Sequence, residues 1–66
     1  MRKWTVAIEN RGAVKFFEFM TYDNAYNYAL SMAYLMFNEY FTCEEIKETI
    51  DRQNGFRLGW EVVSIF

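Results

Sequence analysis

The sequence has no histidine and only one cysteine among its 66 residues. A single thiol cannot form an internal disulfide, and without histidine it cannot complete the usual tetrahedral zinc site. General acid–base catalysis also loses the side chain that most often performs it. The lone Cys43 is next to Glu44 and Glu45, which are not the electropositive surroundings of a reactive thiol. We therefore expect no metal, no cofactor and no enzymatic activity.

An excess of charge of either sign is also missing, because the net charge is only −2. The charge is nevertheless uneven: residues 1–38 carry a net +1 and residues 39–66 a net −3. An acidic second half argues against binding nucleic acid by neutralising phosphates, and it suits a basic protein partner. The alternative interpretation is that these carboxylates only keep a small domain soluble.

Long hydrophobic runs are absent as well. The apolar stretch at residues 25–37 is interrupted by Asn27 and Ser31 and is too short to cross a bilayer. The N-terminal residues do not contain the apolar run of a signal peptide. Together with the unpaired cysteine, this pattern predicts a cytoplasmic protein without membrane contact.

Aromatic residues are what the sequence has in excess, at 21% of the chain. A chain of this length forms one domain and buries only about 60% of its unfolded surface. Small domains of this kind are usually stabilised by disulfides, metals or association. With the first two excluded, we expect dense aromatic packing together with a protein partner or self-association.

The first 20 residues predict a β-hairpin. Residues 4–9 alternate large and small side chains, Asn10-Arg11-Gly12 is a turn signal, and residues 14–20 are rich in strand-forming types. A tight turn pairs Trp4 with Phe19, Val6 with Phe17, Ile8 with Lys15, Thr5 with Glu18, Ala7 with Phe16 and Glu9 with Val14. One face of the hairpin is then almost entirely apolar.

A long helix follows from residue 22 to about residue 40, with Thr21 as its N-cap and Asp23 in its first turn. The predicted buried face comprises Ala25, Ala29, Met32, Ala33, Met36 and Tyr40, widened by Tyr26, Leu30 and Phe37. The opposite stripe is uncharged and comprises Asn24, Asn27, Ser31, Tyr34 and Asn38, with Tyr28 and Leu35 on or beside it. Solvated helix faces normally carry charge, so the stripe indicates a contact surface; alternatively, Tyr28 and Leu35 pack onto loops.

Two interpretations remain open for residues 42–53. In the favoured one, residues 46–50 form a polar edge strand and residues 51–56 a hairpin connection. In the other, Thr42 and Glu45 form a capping box for a second helix over residues 43–53, with Ile46 and Ile50 on one face. Residues 56–66 predict one strand, with a bulge at Gly59. The predicted fold is therefore a single α+β domain, an antiparallel sheet with one long helix on one face, in the order ββαββ or alternatively ββααβ.

The layout of residues 3–40 resembles a group of small phage-encoded ββαβ proteins. The resemblance rests on the Trp4-x-Val6-x-Ile8 strand, the phenylalanine-rich return strand and the Thr21-x-Asp23-Asn24-Ala25 helix opening. The group includes a coliphage inhibitor of host RNA polymerase and several anti-CRISPR proteins. The resemblance implies a non-enzymatic inhibitor that binds and blocks a host protein or ribonucleoprotein complex. A net charge of −2 is too small for a DNA mimic.

The candidate partner-binding residues form two sets. The first set is Tyr28, Tyr34 and Asn38 on the long helix, and the second is Glu44, Glu45, Glu48 and Asp51. Aromatic side chains serve as anchors in interfaces, and carboxylates meet arginine or lysine of the partner.

Two other functions remain as alternatives. One is a self-associating domain whose homodimer buries the helix stripe or an edge strand. The other is single-stranded nucleic-acid binding, with bases stacked on Trp4, Phe16, Phe17 and Phe19. The few scattered basic residues make direct nucleic-acid binding the least favoured function.

Overall fold

The computed structural model describes residues 3–66 and confirms an α+β fold with an antiparallel sheet. The elements are β1 (Trp4–Asn10), β2 (Ala13–Phe19), α1 (Tyr22–Phe37), α2 (Cys43–Gln53), β3 (Gly55–Leu58) and β4 (Glu61–Ile65). The four strands lie in the order β2-β1-β4-β3. The chain order is thus ββααββ, which differs from both predicted layouts.

The β1–β2 hairpin has the predicted register at every predicted pair, from Trp4 with Phe19 to Glu9 with Val14. Arg11 and Gly12 form its two-residue turn with φ angles of 53° and 85°. Positive φ at both central positions defines the type I′ turn, whose twist matches that of the strands it joins. The turn therefore fixes the register that alternation alone predicted.

Helix α1 begins as predicted, because the Thr21 hydroxyl accepts a hydrogen bond from the backbone N–H of Asn24 at 3.2 Å. It ends at Phe37, three residues before the predicted end. The N–H groups of Tyr40 and Phe41 both donate to the Phe37 carbonyl at 3.0 Å, so the chain turns there. Tyr40, predicted on the buried face, is consequently 67% exposed, and that prediction was wrong.

Residues 43–53 form helix α2, so the favoured hairpin interpretation was wrong. The capping box is complete: Glu45 N–H donates to the Thr42 hydroxyl at 3.1 Å, and Thr42 N–H donates to the Glu45 carboxylate at 2.9 Å. Ile46 and Ile50 are both fully buried. Asn54, with φ of 55°, ends the helix in the left-handed region instead of serving a hairpin turn.

The last segment is two strands and not one. Gly59, with φ of 62°, stands at the first central position of the β3–β4 connection, as the type II′ turn requires. The predicted bulge at this residue was therefore wrong. The turn brings β4 back between β3 and β1, so the end of the chain occupies the centre of the sheet.

Both helices pack on one face of the sheet, which we call the covered face. Its side chains are Val6, Ile8, Phe56, Val63 and Ile65, and they form one cluster with Ala25, Ala29, Ala33, Phe37, Ile46 and Ile50 of the helices. The alanines place α1 close to the strands, and the Phe37 ring lies 4.7 Å from that of Phe56. Within residues 3–66, no helix is long and apolar enough to cross a membrane.

Candidate functional site

The first predicted contact set is divided by the structure. Tyr28 is half-buried, and its ring centroid lies 5.1 Å from Phe17 and 5.3 Å from Phe19. It therefore supports β2, whereas Tyr34 and Asn38 are exposed on a different side of α1. Leu35, at 69% exposure, does not pack onto a loop. The uncharged stripe is thus exposed, but Tyr28 is separate from it.

Tyr34 and Asn38 lie where α1 turns into α2. They line an open depression of about 320 Å³ together with Tyr40 and Glu45, and we call these four residues the α1–α2 corner. The corner brings two residues of the first predicted set next to one residue of the second. Sequence reasoning missed Tyr40 because the helix was predicted to bury it.

The four predicted carboxylates have different roles. Glu45 caps α2, and Asp51 accepts a hydrogen bond from the Tyr26 hydroxyl at 2.5 Å and one from the Lys47 ammonium at 2.9 Å. The carboxylates of Glu44 and Glu48 have no hydrogen bond or ion pair with any other residue in the described part of the chain. They are four residues apart, which places them on one side of the helix and leaves both carboxylates available to a partner.

Asp51 links the two helices electrostatically. The Tyr26 hydroxyl, and then the Lys47 ammonium, hold the pKa of the Asp51 carboxyl below its ordinary value. In return, the hydrogen bond to Asp51 raises the pKa of Tyr26 and that of Lys47. Each shift favours the protonation state present at neutral pH. Asp51 thus holds α2 against α1, a role that sequence reasoning did not assign to it.

A larger surface that sequence reasoning did not select lies on the other side of the sheet. We call it the open face and define it by ten strand residues that no helix covers: Thr5, Ala7, Glu9, Val14, Phe16, Glu18, Gly55, Arg57, Val62 and Ser64. Phe16 is 63% exposed and Val14 is 49% exposed. The alternation of β1 and β2 already predicted which of their residues lie on this face. The residues that β3 and β4 contribute could not be recognised, because residues 56–66 were predicted to form one strand.

The aromatic platform proposed for nucleic acid is also divided. Trp4, Phe17 and Phe19 pack against the core on the covered side, and Phe16 alone of the four rings lies on the open face. Among residues 3–66, no group of three or more histidine, cysteine or acidic side chains is placed to hold a metal ion.

Comparison with known proteins adds no relative. No protein-family model, curated protein or solved structure matches the chain. The exposed surfaces of the fold are therefore the guide to its function.

Proposed function

We propose that this chain is a non-enzymatic protein-binding module that contacts its partner through the α1–α2 corner. The observation that carries the proposal is the exposed pair Tyr34 and Tyr40 of the corner, at 42% and 67% exposure. The unpaired carboxylates of Glu44 and Glu48 lie in the first half of α2, the helix that leads away from the corner. Large aromatic side chains without a structural role in the monomer are the usual anchors of interfaces.

The charge of the corner indicates the chemistry of the partner. Residues 39–66 carry a net −3, and the two unpaired carboxylates of α2 belong to this half. A partner with exposed arginine or lysine around an apolar pocket is complementary to it. We therefore propose a basic protein surface, and not a nucleic acid, as the direct contact.

The resemblance to phage-encoded inhibitors supports a more specific form of the proposal. In that form the chain acts in the cytoplasm and blocks a host protein or ribonucleoprotein complex, either of a CRISPR-type defence or of transcription. Blocking requires only stoichiometric occupation of a surface, which is compatible with the absence of histidine.

A quantitative capture experiment tests the corner together with the two unpaired carboxylates of α2. The tagged chain is incubated with host lysate, the captured proteins are identified, and the affinity for the purified partner is measured. We expect the triple variant Tyr34→Ala, Glu44→Lys, Glu48→Lys to bind at least about tenfold more weakly, a loss of about 1.4 kcal/mol, because it removes an aromatic anchor and reverses two charges.

The matched control is Glu18→Lys with Glu61→Lys, which changes the net charge equally but lies on the strands. We expect this control to bind as the unmodified chain does. Equal binding by the corner variant, or a loss confined to the control, contradicts the proposal. Failure to capture any partner from the host contradicts the inhibitor form.

A further inference from the structure

The open face has a regular arrangement of large, small and charged side chains. Its middle row runs across the sheet as Phe16, Ala7, Ser64 and Gly55 from β2 to β3. Its neighbouring row runs in the same direction as Val14, Glu9, Val62 and Arg57. The sheet face of a stable monomer that meets water normally alternates to polar residues, whereas this face has a phenylalanine and two valines among its ten strand positions.

We propose that a second copy of this chain covers the open face, related by a two-fold axis that runs parallel to the strands between β1 and β4. Such an axis places β2 over β3 of the second copy and β1 over β4. Because a two-fold interface must be complementary to itself, the two rows provide a direct check of this arrangement.

The middle row is complementary in size under this axis. Phe16, which has the largest side chain of the row, lies over Gly55 of the second copy, and Ala7 lies over Ser64. Gly55 cannot easily be larger, because a Cβ atom there would come within 2.9 Å of the Val63 carbonyl oxygen. The space opposite Phe16 is therefore a fixed feature of the fold. A two-fold axis perpendicular to the strands would instead place Phe16 over Phe16 of the second copy and Gly55 over Gly55, which leaves the small residues without a large partner.

The neighbouring row is complementary in charge. The axis places Glu9 over Val62 of the second copy, next to Arg57 in the adjacent strand about 4.8 Å away. Sheets packed face to face are about 10 Å apart, a gap that the two side chains span together. Two symmetric Glu9–Arg57 pairs therefore form, and the carboxylate and guanidinium of the open face compensate each other.

The area of the face determines the strength of association that we expect. Four strands about 4.8 Å apart are about 19 Å wide, and a seven-residue strand is about 23 Å long. The total area buried by two copies therefore lies below about 1,200 Å², the lower limit of stable interfaces, and we expect a weak, concentration-dependent dimer. This inference is independent of the function proposed above, because the α1–α2 corner lies in the helix layer on the other side of the sheet.

Pairing through an edge strand, β2 or β3, is the competing arrangement of two copies. The β2 edge carries a charge that opposes it. Lys15, in the middle of that edge strand, belongs to the helix side of the sheet and is exposed. Charged side chains on an edge strand oppose the addition of another strand. This charge favours the face over the edge.

Sedimentation measurements on the full chain, from about 1 µM to about 1 mM, test the proposal. We expect a concentration-dependent monomer–dimer equilibrium. Phe16→Asp raises the dissociation constant at least tenfold, while the matched control Leu35→Asp, at an equally exposed apolar position on α1, leaves it unchanged. Circular dichroism establishes that both variants remain folded.

A charge exchange distinguishes the face from the edge. Glu9→Arg and Arg57→Glu each weaken the dimer, and the two changes together restore it, because each reversed pair is again of opposite sign. A chain that stays monomeric at all concentrations overturns the proposal. A dimer that Leu35→Asp dissociates, or one that the two separate charge changes leave intact, also overturns it and assigns the interface to the helix stripe or to an edge strand.

Discussion

The two faces of the sheet are built by the same strands but have different surroundings. Phe16 and Phe17 are the same residue type at adjacent positions of β2. Phe17 is half-buried with the Tyr28 ring 5.1 Å away, whereas Phe16 is 63% exposed. Hydrophobicity alone does not distinguish the two side chains, so the packing partners decide their roles.

Stability and association depend on different faces of the sheet. The covered face contributes five of the eleven buried core residues, including fully buried Val6 and Val63. The open face adds little buried area to the monomer, and its apolar residues are available for contact with another chain. Substitutions on the covered face are therefore expected to change the free energy of unfolding. Substitutions on the open face are expected to change the dissociation constant of the dimer.

The largest difference between the faces is expected for phenylalanine truncation. Phe37→Ala removes a fully buried ring of α1 that packs on Phe56 of the covered face. This change is expected to lower the free energy of unfolding by about 3–5 kcal/mol. Phe16→Ala, the matched change on the open face, is expected to alter it by less than about 0.5 kcal/mol. Urea denaturation of dilute monomer measures both values. A large loss for Phe16→Ala would show that the open face also stabilises the monomer.

The next largest effect on stability is expected when a buried alanine of α1 is enlarged, because α1 lies close to the covered face. Ala25, Ala29 and Ala33 are fully buried, which leaves no room for a longer side chain without moving the helix. Ala29→Leu is expected to cost about 1–3 kcal/mol through overpacking. Ser31→Leu, on the exposed stripe of the same helix, is expected to change stability by less than about 0.5 kcal/mol. Equal midpoints for the two variants contradict close packing of α1 on the sheet.

Local patterns predicted the first half of the fold well. Alternation and the Arg11-Gly12 turn determine the β1–β2 register, and the Thr21 cap determines where α1 begins, because each depends on residues close in sequence. The end of α1 and the exposure of Tyr40 depend on the turn into α2, so helical periodicity alone did not locate them.

The second half was ambiguous because its signals compete. Asn54-Gly55 suits a hairpin turn as well as a helix C-cap, and the capping box together with the burial of Ile46 and Ile50 decided for the helix. The open face was missed for the same reason, since the β3–β4 turn at Gly59 is needed to bring Arg57 and Val62 beside β1. For the candidate site, exposure of Tyr34 and Asn38 was predictable, whereas the structural roles of Glu45, Asp51 and Tyr28 depended on tertiary contacts.

The cap of α2 is expected to have an intermediate effect on the helix layer. Thr42→Ala removes the hydroxyl that accepts the Glu45 N–H and is expected to lower the free energy of unfolding by about 1 kcal/mol. Thr42→Ser keeps the hydroxyl and is the control, with little expected change. Chemical denaturation followed by circular dichroism compares the two. Equal losses for both variants would assign the effect to the threonine methyl group instead of the cap.

The smallest effect concerns the link between the helices that cover the sheet. Tyr26→Phe removes the hydrogen bond to Asp51 and is expected to lower the free energy of unfolding by about 0.5 kcal/mol at neutral pH. Tyr34→Phe is the control, because the Tyr34 hydroxyl makes no hydrogen bond to the described residues. Thermal unfolding at a series of pH values measures the difference between each variant and the unmodified chain.

The direction of the pKa shifts determines how that difference varies with pH. The pKa of Asp51 is lowered in the folded state, so its contribution is present above the unfolded pKa and is lost as the pH falls below about 4. The pKa values of Tyr26 and Lys47 are raised, so their contributions are lost as the pH rises above about 10. The stability difference caused by Tyr26→Phe is therefore constant near neutral pH and decreases at both extremes. A difference that persists below about pH 3 contradicts an ionised Asp51 as the acceptor and assigns the effect to an interaction of the Tyr26 hydroxyl that does not require the carboxylate.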